Sequence, residues 1–201
     1  MKMHFPWALL VLMGVLVAVS CSKKTDVPAE PTPHQPSICS PFVTFGASAV
    51  GSVATAANGY IQASQYNNPQ NCLVHNLEVY VSAAYGPVRA AIYTDASNAV
   101  GNLVVETASQ PATVGWNILP VPATYLDPGK YWLALQVGDD GMGNGTNANY
   151  DPGSPGTGTL FPFTYGTFPS TFSAAYYSNN WSIKVDYCAA TVKTPTPTST
   201  P

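Results

Sequence analysis

The sequence predicts an all-β chain, folded as an antiparallel β-sandwich of jelly-roll-like form. Three observations carry the prediction. Apolar residues recur at every second position in Leu77, Val79 and Val81, in Val88, Ala90 and Ile92, and in Tyr131, Leu133, Leu135 and Val137. Period two gives a strand one apolar face and one wet face. Turn chemistry separates these runs: Asn67-Asn68-Pro69-Gln70-Asn71, Tyr85-Gly86-Pro87 and Asp127-Pro128-Gly129 all favour chain reversal. No segment of ten or more residues shows a capped 3.6-residue period. Short strands with frequent turns and no helix give a two-layer β architecture.

From the amino end, Lys2 and the apolar run from Phe5 to Val19 read as a signal peptide, too short for a comfortable span. Ala18-Val19-Ser20-Cys21 resembles a bacterial lipobox. The resemblance implies cleavage before Cys21, lipid on its thiol and its new amino group, and membrane attachment. Ser22 in place of an Asp points to the outer membrane if the organism has one. Residues 21–38 carry Pro28, Pro31, Pro33 and Pro36 among polar residues and read as an extended tether. Residues 190–201 form a Thr/Pro-rich tail read as disordered. Between them, residues 39–189 suffice for one core.

Within that domain, residues 44–57 form the opening strand segment and residues 60–66 the next. Residues 77–95 read as a β-hairpin turning at Tyr85-Gly86-Pro87. Leu103 to Thr107 and Val114 to Val121 are strands, Tyr131 to Val137 is a strong one, and Trp181 to Cys188 closes the domain. In the last, Trp181, Ile183, Val185 and Tyr187 alternate with Ser182, Lys184 and Asp186. Residues 138–159 hold seven Gly, two Pro and three Asp, which predicts a long loop of the kind that carries function.

Several of these segments resemble a β-sandwich module of secreted and surface proteins of bacteria and archaea. They are Ala91-Ile92-Tyr93-Thr94-Asp95, Gly115-Trp116-Asn117, Pro128-Gly129-x-Tyr131-Trp132-Leu133-Ala134 and Phe168-Pro169-x-Thr171-Phe172. The resemblance covers nearly the whole domain and implies fold and extracytoplasmic location; its motifs are structural and imply no activity.

Charged residues make up 8% of the chain, seven basic against ten acidic, with Arg89 the single arginine. That balance lacks the electrostatic footprint of a nucleic-acid binder. Cys39 and Cys188 stand at the domain's two boundaries and are read as a disulfide, with Cys72 a buried thiol. His75 is placed by alternation on the face of Leu77 and reads as structural; no Gly-x-Ser-x-Gly elbow accompanies it, and the chain is read as non-enzymatic. No cofactor is expected. Asp139, Asp140 and Asn144 are weak calcium candidates, because Met142 interrupts the oxygen ligands. The surplus is aromatic. Tyr150, Asp151, Tyr165, Tyr176, Tyr177 and Asn179 are the candidate ligand-binding residues, since exposed rings beside amides and carboxylates suit sugars. The expected role is recognition or adhesion at the cell envelope, with a glycan or envelope partner; the alternatives are a purely structural surface lipoprotein and, more weakly, an extracellular hydrolase.

Overall fold

The computed structural model describes residues 42–154, 156–173 and 175–190. The signal segment with Cys21, the 21–38 tether, Cys39 and residues 191–201 of the expected tail lie outside the described residues. In chain order the strands are β1 (Val43–Gly46), β2 (Val53–Ala56), β3 (Tyr60–Asn68), β4 (Cys72–Ala83), β5 (Pro87–Asp95), β6 (Val100–Glu106) and β7 (Gln110–Pro111). They continue as β8 (Gly115–Leu126), β9 (Gly129–Val137), β10 (Asn147–Pro152), β11 (Gly158–Pro162), β12 (Ala175–Tyr177), β13 (Asn179–Trp181) and β14 (Ile183–Ala189). No helix occurs among the described residues, so none is long and apolar enough to cross a membrane.

The strands make two seven-stranded antiparallel sheets. In the first, β4 lies at the centre between β14 and β8, and β1 extends the sheet beyond β14. The far end of β4 meets β10, which also holds β2 and β13. The second sheet runs β12-β11-β3-β9-β5-β6, with β7 on the end of β5. The predicted antiparallel sandwich is therefore present.

The alternation puts the predicted residues inside. Leu77, Val79 and Val81 of β4, Val88, Ala90 and Ile92 of β5, Leu133 and Leu135 of β9, and Ile183 and Val185 of β14 join one buried cluster between the sheets. Each such Val, Leu or Ile side chain contributes about 1.5–3 kcal/mol on leaving water. The pairing differs from expectation, however. β4 and β5 are not a hairpin: they lie in opposite sheets, and residues 84–86 carry the chain from one layer to the other. Two apolar faces joined by a short link can zip edge to edge or fold face to face, and period two does not choose between them.

The crossing also sets what each outer face carries. Arg89 pairs with Glu106 at 3.0 Å rather than with Glu78, which holds Lys184 at 3.1 Å. Arg89 and Tyr93 do not form an open binding face, because residues 163–173 lie across that side of the second sheet as a strap. Phe168 and Phe172 pack there on Tyr93, Trp132, Ala91 and Ala134. The strap is pinned by polar contacts: Gly166 N–H donates to Gln136 Oε1 at 2.9 Å, Phe168 N–H to Glu106 Oε2 at 2.9 Å, and Tyr93 O–H to Pro169 O at 2.8 Å.

Two local departures have physical causes. β4 bulges between Val74 and Asn76 against both of its neighbours. The extra residue, His75, leaves the apolar face and meets the Phe42 ring at 5.1 Å and Cys188 Sγ at 3.0 Å. Residues 138–159 are not one long loop, since β10 and the start of β11 lie within them. In β10 only Ala148 and Tyr150 supply apolar surface to the core, too little to show as a period. Cys72 is a free, fully buried thiol whose pKa is pushed up to about 11 by burial, as an inert core cysteine should be.

The outer face of the first sheet carries a compact charged group. Lys184 sits 4.8 Å over the Trp116 ring, whose edge meets Tyr80, so Trp116 is half-buried on a face rather than in the core. Burial, and the Glu78 carboxyl to which it is hydrogen-bonded, push Asp186 up to about 6 from 3.8. The folded chain thus holds a proton that the unfolded chain releases across that interval. Stability from this group is complete below about pH 4 and is lost as pH rises through about 6. Asp140 and Asp151 are shifted downward and titrate with the opposite slope at lower pH. In urea unfolding between pH 4 and 6.5, wild type should lose stability relative to Asp186→Asn as pH rises; parallel curves would place the proton elsewhere.

Candidate functional site

The strap ends at Ser173 and leaves one end of the second sheet's outer face open. Strand parity brings Gln65 of β3, Trp132 and Lys130 of β9, and Asp95 of β5 to that end. Gln65 is registered opposite Trp132, and Trp132 opposite Tyr93. A two-residue turn then joins β5 to β6. Ser97 and Asn98 both have positive φ, 59° and 67°, and Ala96 and Ala99 exchange backbone hydrogen bonds across it. This is the geometry of a primed hairpin turn, matched to strand twist; Asn tolerates it better than most non-glycine residues.

Asp95 organises the corner. Its Oδ1 accepts from Gln65 Nε2 at 2.6 Å and Trp132 Nε1 at 3.0 Å, and its Oδ2 accepts from Asn98 N–H at 3.0 Å. Asn98 Oδ1 in turn accepts from Lys130 Nζ at 2.8 Å and Gln65 Nε2 at 3.3 Å. Opposite this corner stands Tyr176 of the edge strand β12, 51% exposed, its ring centroid 6.3 Å from that of Trp132.

Tyr176 divides two adjoining concavities. One, of about 530 Å³, is lined by Gln65, Ser97, Asn98, Gly156, Thr157 and Tyr176. The other, of about 460 Å³, is lined by Val100, Thr159, Phe161, Thr171, Phe172 and Tyr176 among others. Both have the size of small-ligand sites. Together they make a groove with an apolar half beneath the strap's end and a polar half at the Asp95 corner, with an exposed ring between.

Of the residues the sequence singled out, Tyr176 alone lines this groove. Tyr177 is also exposed, at 46%, because a three-residue edge strand leaves both of its faces open. Tyr150 lies on β10 with its ring 4.9 Å from that of Trp181, packed on the core. Asp151 accepts from Ser52 N–H at 2.7 Å and Ser52 O–H at 2.8 Å, and these bonds hold its carboxyl below the usual range. Asn179 presents its backbone oxygen to Ser64 Oγ at 2.8 Å. Its neighbour Asn180 reaches the groove wall, where Asn180 Oδ1 accepts from Thr157 O–H at 3.1 Å. Tyr165 belongs to the strap. It shares a hydrogen bond with Ser109 at 2.6 Å and lines a separate cavity of about 380 Å³ with Asn58, Pro87 and Asp139.

The calcium candidates are engaged with their own turn. Asp140 accepts from Met142 N–H at 2.8 Å, Asn144 N–H at 3.1 Å and Asn144 Nδ2 at 2.6 Å, and Asp139 accepts from Gly141 N–H at 2.9 Å. A cation there would have to displace those donors. No group of three or more His, Cys, Asp or Glu side chains placed to hold a metal occurs among the described residues. His75 has Phe42 and Cys188 as its contacts.

Sequence reasoning missed Gln65, Asp95, Asn98 and Lys130. The usable signal was parity: Tyr93 to Asp95 and Lys130 to Trp132 are each two residues apart, so each pair shares a face. Asp95→Ala removes the acceptor of the buried Trp132 indole and of Gln65. It should cost about 1–3 kcal/mol in denaturant unfolding and red-shift the Trp132 component of fluorescence; unchanged stability would mean that the corner does not depend on this carboxylate.

No family model matches the chain, and neither does any curated protein. Among solved structures, the chain is similar to the crystal structure of the cysteine protease and lectin-like domains of Cwp84, a surface layer associated protein of Clostridium difficile. The TM-score is 0.51 at 10% identity, over 65% of this chain and 32% of that one. The chain therefore spans about a third of that structure's length, and the likeness is one of fold.

Proposed function

We propose that the chain is a non-catalytic recognition module of the cell envelope that binds a glycan in the groove beside Tyr176, and that lipid on Cys21 holds it at the membrane. The observation that carries the reading is the half-exposed Tyr176 ring set between an apolar concavity and one lined by amide and hydroxyl groups. A pyranose has apolar C–H faces and a polar rim, and such a pairing of ring and amides answers both. The fold likeness to part of a surface-associated protein supports an extracytoplasmic setting. Cys39–Cys188 pairing, which would tie the domain's two ends, belongs to the same extracytoplasmic reading.

Pull-down on cell-wall polysaccharides and a glycan array test the groove. Tyr176→Ala should weaken binding at least tenfold, about 1.4 kcal/mol, while Tyr150→Ala, on the core side, leaves it unchanged. If the chain binds no glycan, the purely structural surface lipoprotein becomes the better reading. For the anchor, metabolic labelling with palmitate should be lost in Cys21→Ser; labelling that persists would refute it.

A further inference from the structure

We propose that the groove selects a glycan that bears a carboxylate, a uronic-acid type of sugar, through the corner formed by Lys130 and Asn98. The inference rests on the groove reading above and narrows it.

Three basic side chains occur among the described residues: Arg89, Lys130 and Lys184. Two of them are neutralised, Arg89 by Glu106 at 3.0 Å and Lys184 by Glu78 at 3.1 Å. Lys130 makes no ion pair among the described residues. Its ammonium is exposed, and its bond is to the neutral Asn98 Oδ1 at 2.8 Å. A lysine with no carboxylate partner among the described residues, in a chain of net charge −3, stands at the edge of the polar concavity that Asn98 lines.

At Lys130 and Asn98 the uncommitted hydrogen-bonding groups are donors. An ammonium has three protons and no acceptor, so the Asn98 atom facing Lys130 must be the oxygen. The Asn98 amide nitrogen is thereby left as an unspent donor, as are two protons of Lys130. The carboxylate at the corner, Asp95, is committed to Gln65, Trp132 and the Asn98 backbone N–H. An ionised carboxylate is acceptor-only and forms shorter, stronger bonds to charged donors than a hydroxyl does. A sugar hydroxyl, which donates as readily as it accepts, would gain nothing special from two donors. The aromatic platform favours a ring-bearing acid over an acidic peptide, since Tyr176 lines the same concavity as Asn98 and offers a face for a pyranose.

The test uses the full chain and two polymers, polygalacturonate and hyaluronan, each paired with its carboxyl-reduced form, with polyglutamate as the peptide acid. Calorimetric titration should show at least one uronate polymer bound tenfold or more tighter than its reduced form, and polyglutamate bound weakly. Lys130→Gln should erase that preference by weakening the uronate form at least tenfold more than the reduced form; Tyr176→Ala should weaken both forms alike. Equal affinity for acid and reduced forms, a preference that survives in Lys130→Gln, equally tight binding of polyglutamate, or no binding of either uronate polymer would each overturn the carboxylate assignment. The groove reading falls separately, if glycan binding by Tyr176→Ala equals that of wild type.

Discussion

The passage of the chain from one sheet to the other between β4 and β5 is the constraint on which the rest of the structure depends. At that crossing, Thr146 Oγ1 accepts from Tyr85 N–H at 3.1 Å and Gly86 N–H at 2.8 Å, and Gly138 N–H donates to Pro87 O at 2.7 Å. Thr146 is fully buried, and a Cβ on Gly86 would stand 2.5 Å from the backbone of Gly138 and Asp139. Only a glycine permits that approach. Because the backbone groups of the crossing are satisfied inside the protein, the two most regular apolar runs can face each other across the core instead of pairing edge to edge.

One consequence concerns the second sheet's outer face. With β5 in that sheet, Arg89, Ala91 and Tyr93 point away from the shared core and need a cover of their own. The strap supplies it, setting Phe168 and Phe172 edge-to-face against Tyr93 and holding the Arg89–Glu106 pair beneath. A sheet face half covered in this way has a natural step where the cover stops. The groove lies along that step, so its apolar half is the edge of a secondary core and its polar half is bare sheet end and turn.

Much of the fold was legible from period two. Which residues point inward was readable at Leu77, Val79 and Val81, at Leu133 and Leu135, and at Trp181, Ile183, Val185 and Tyr187, all of which are buried. The partner of each strand was not readable, because alternation fixes a face and says nothing of a neighbour. His75 was misplaced by a single inserted residue, which reverses the parity of everything before it. The site was legible only in part. Tyr176 stood out as a surplus ring among polar residues, but Gln65, Asp95 and Lys130 each look like an ordinary strand-end or turn residue. What brings them together is that three strands far apart in sequence meet at one corner, and that is a property of the sheet order.

The chain ends of the described domain enter and leave side by side. β1 begins at Val43 opposite Tyr187, near the close of β14, and runs antiparallel to it. A force pulling these two ends apart would act across the strands and not along them. It would open the β1–β14 ladder one rung at a time, and then peel β14 from β4 in the same direction, where Ala189 faces Cys72. Such a zipper yields at far lower force than strands sheared lengthwise, whose rungs must break together. The proposed Cys39–Cys188 bond would lie ahead of the first rung and bear the tension itself. Mechanically, that bond would separate a domain that unravels under drag from one that transmits it.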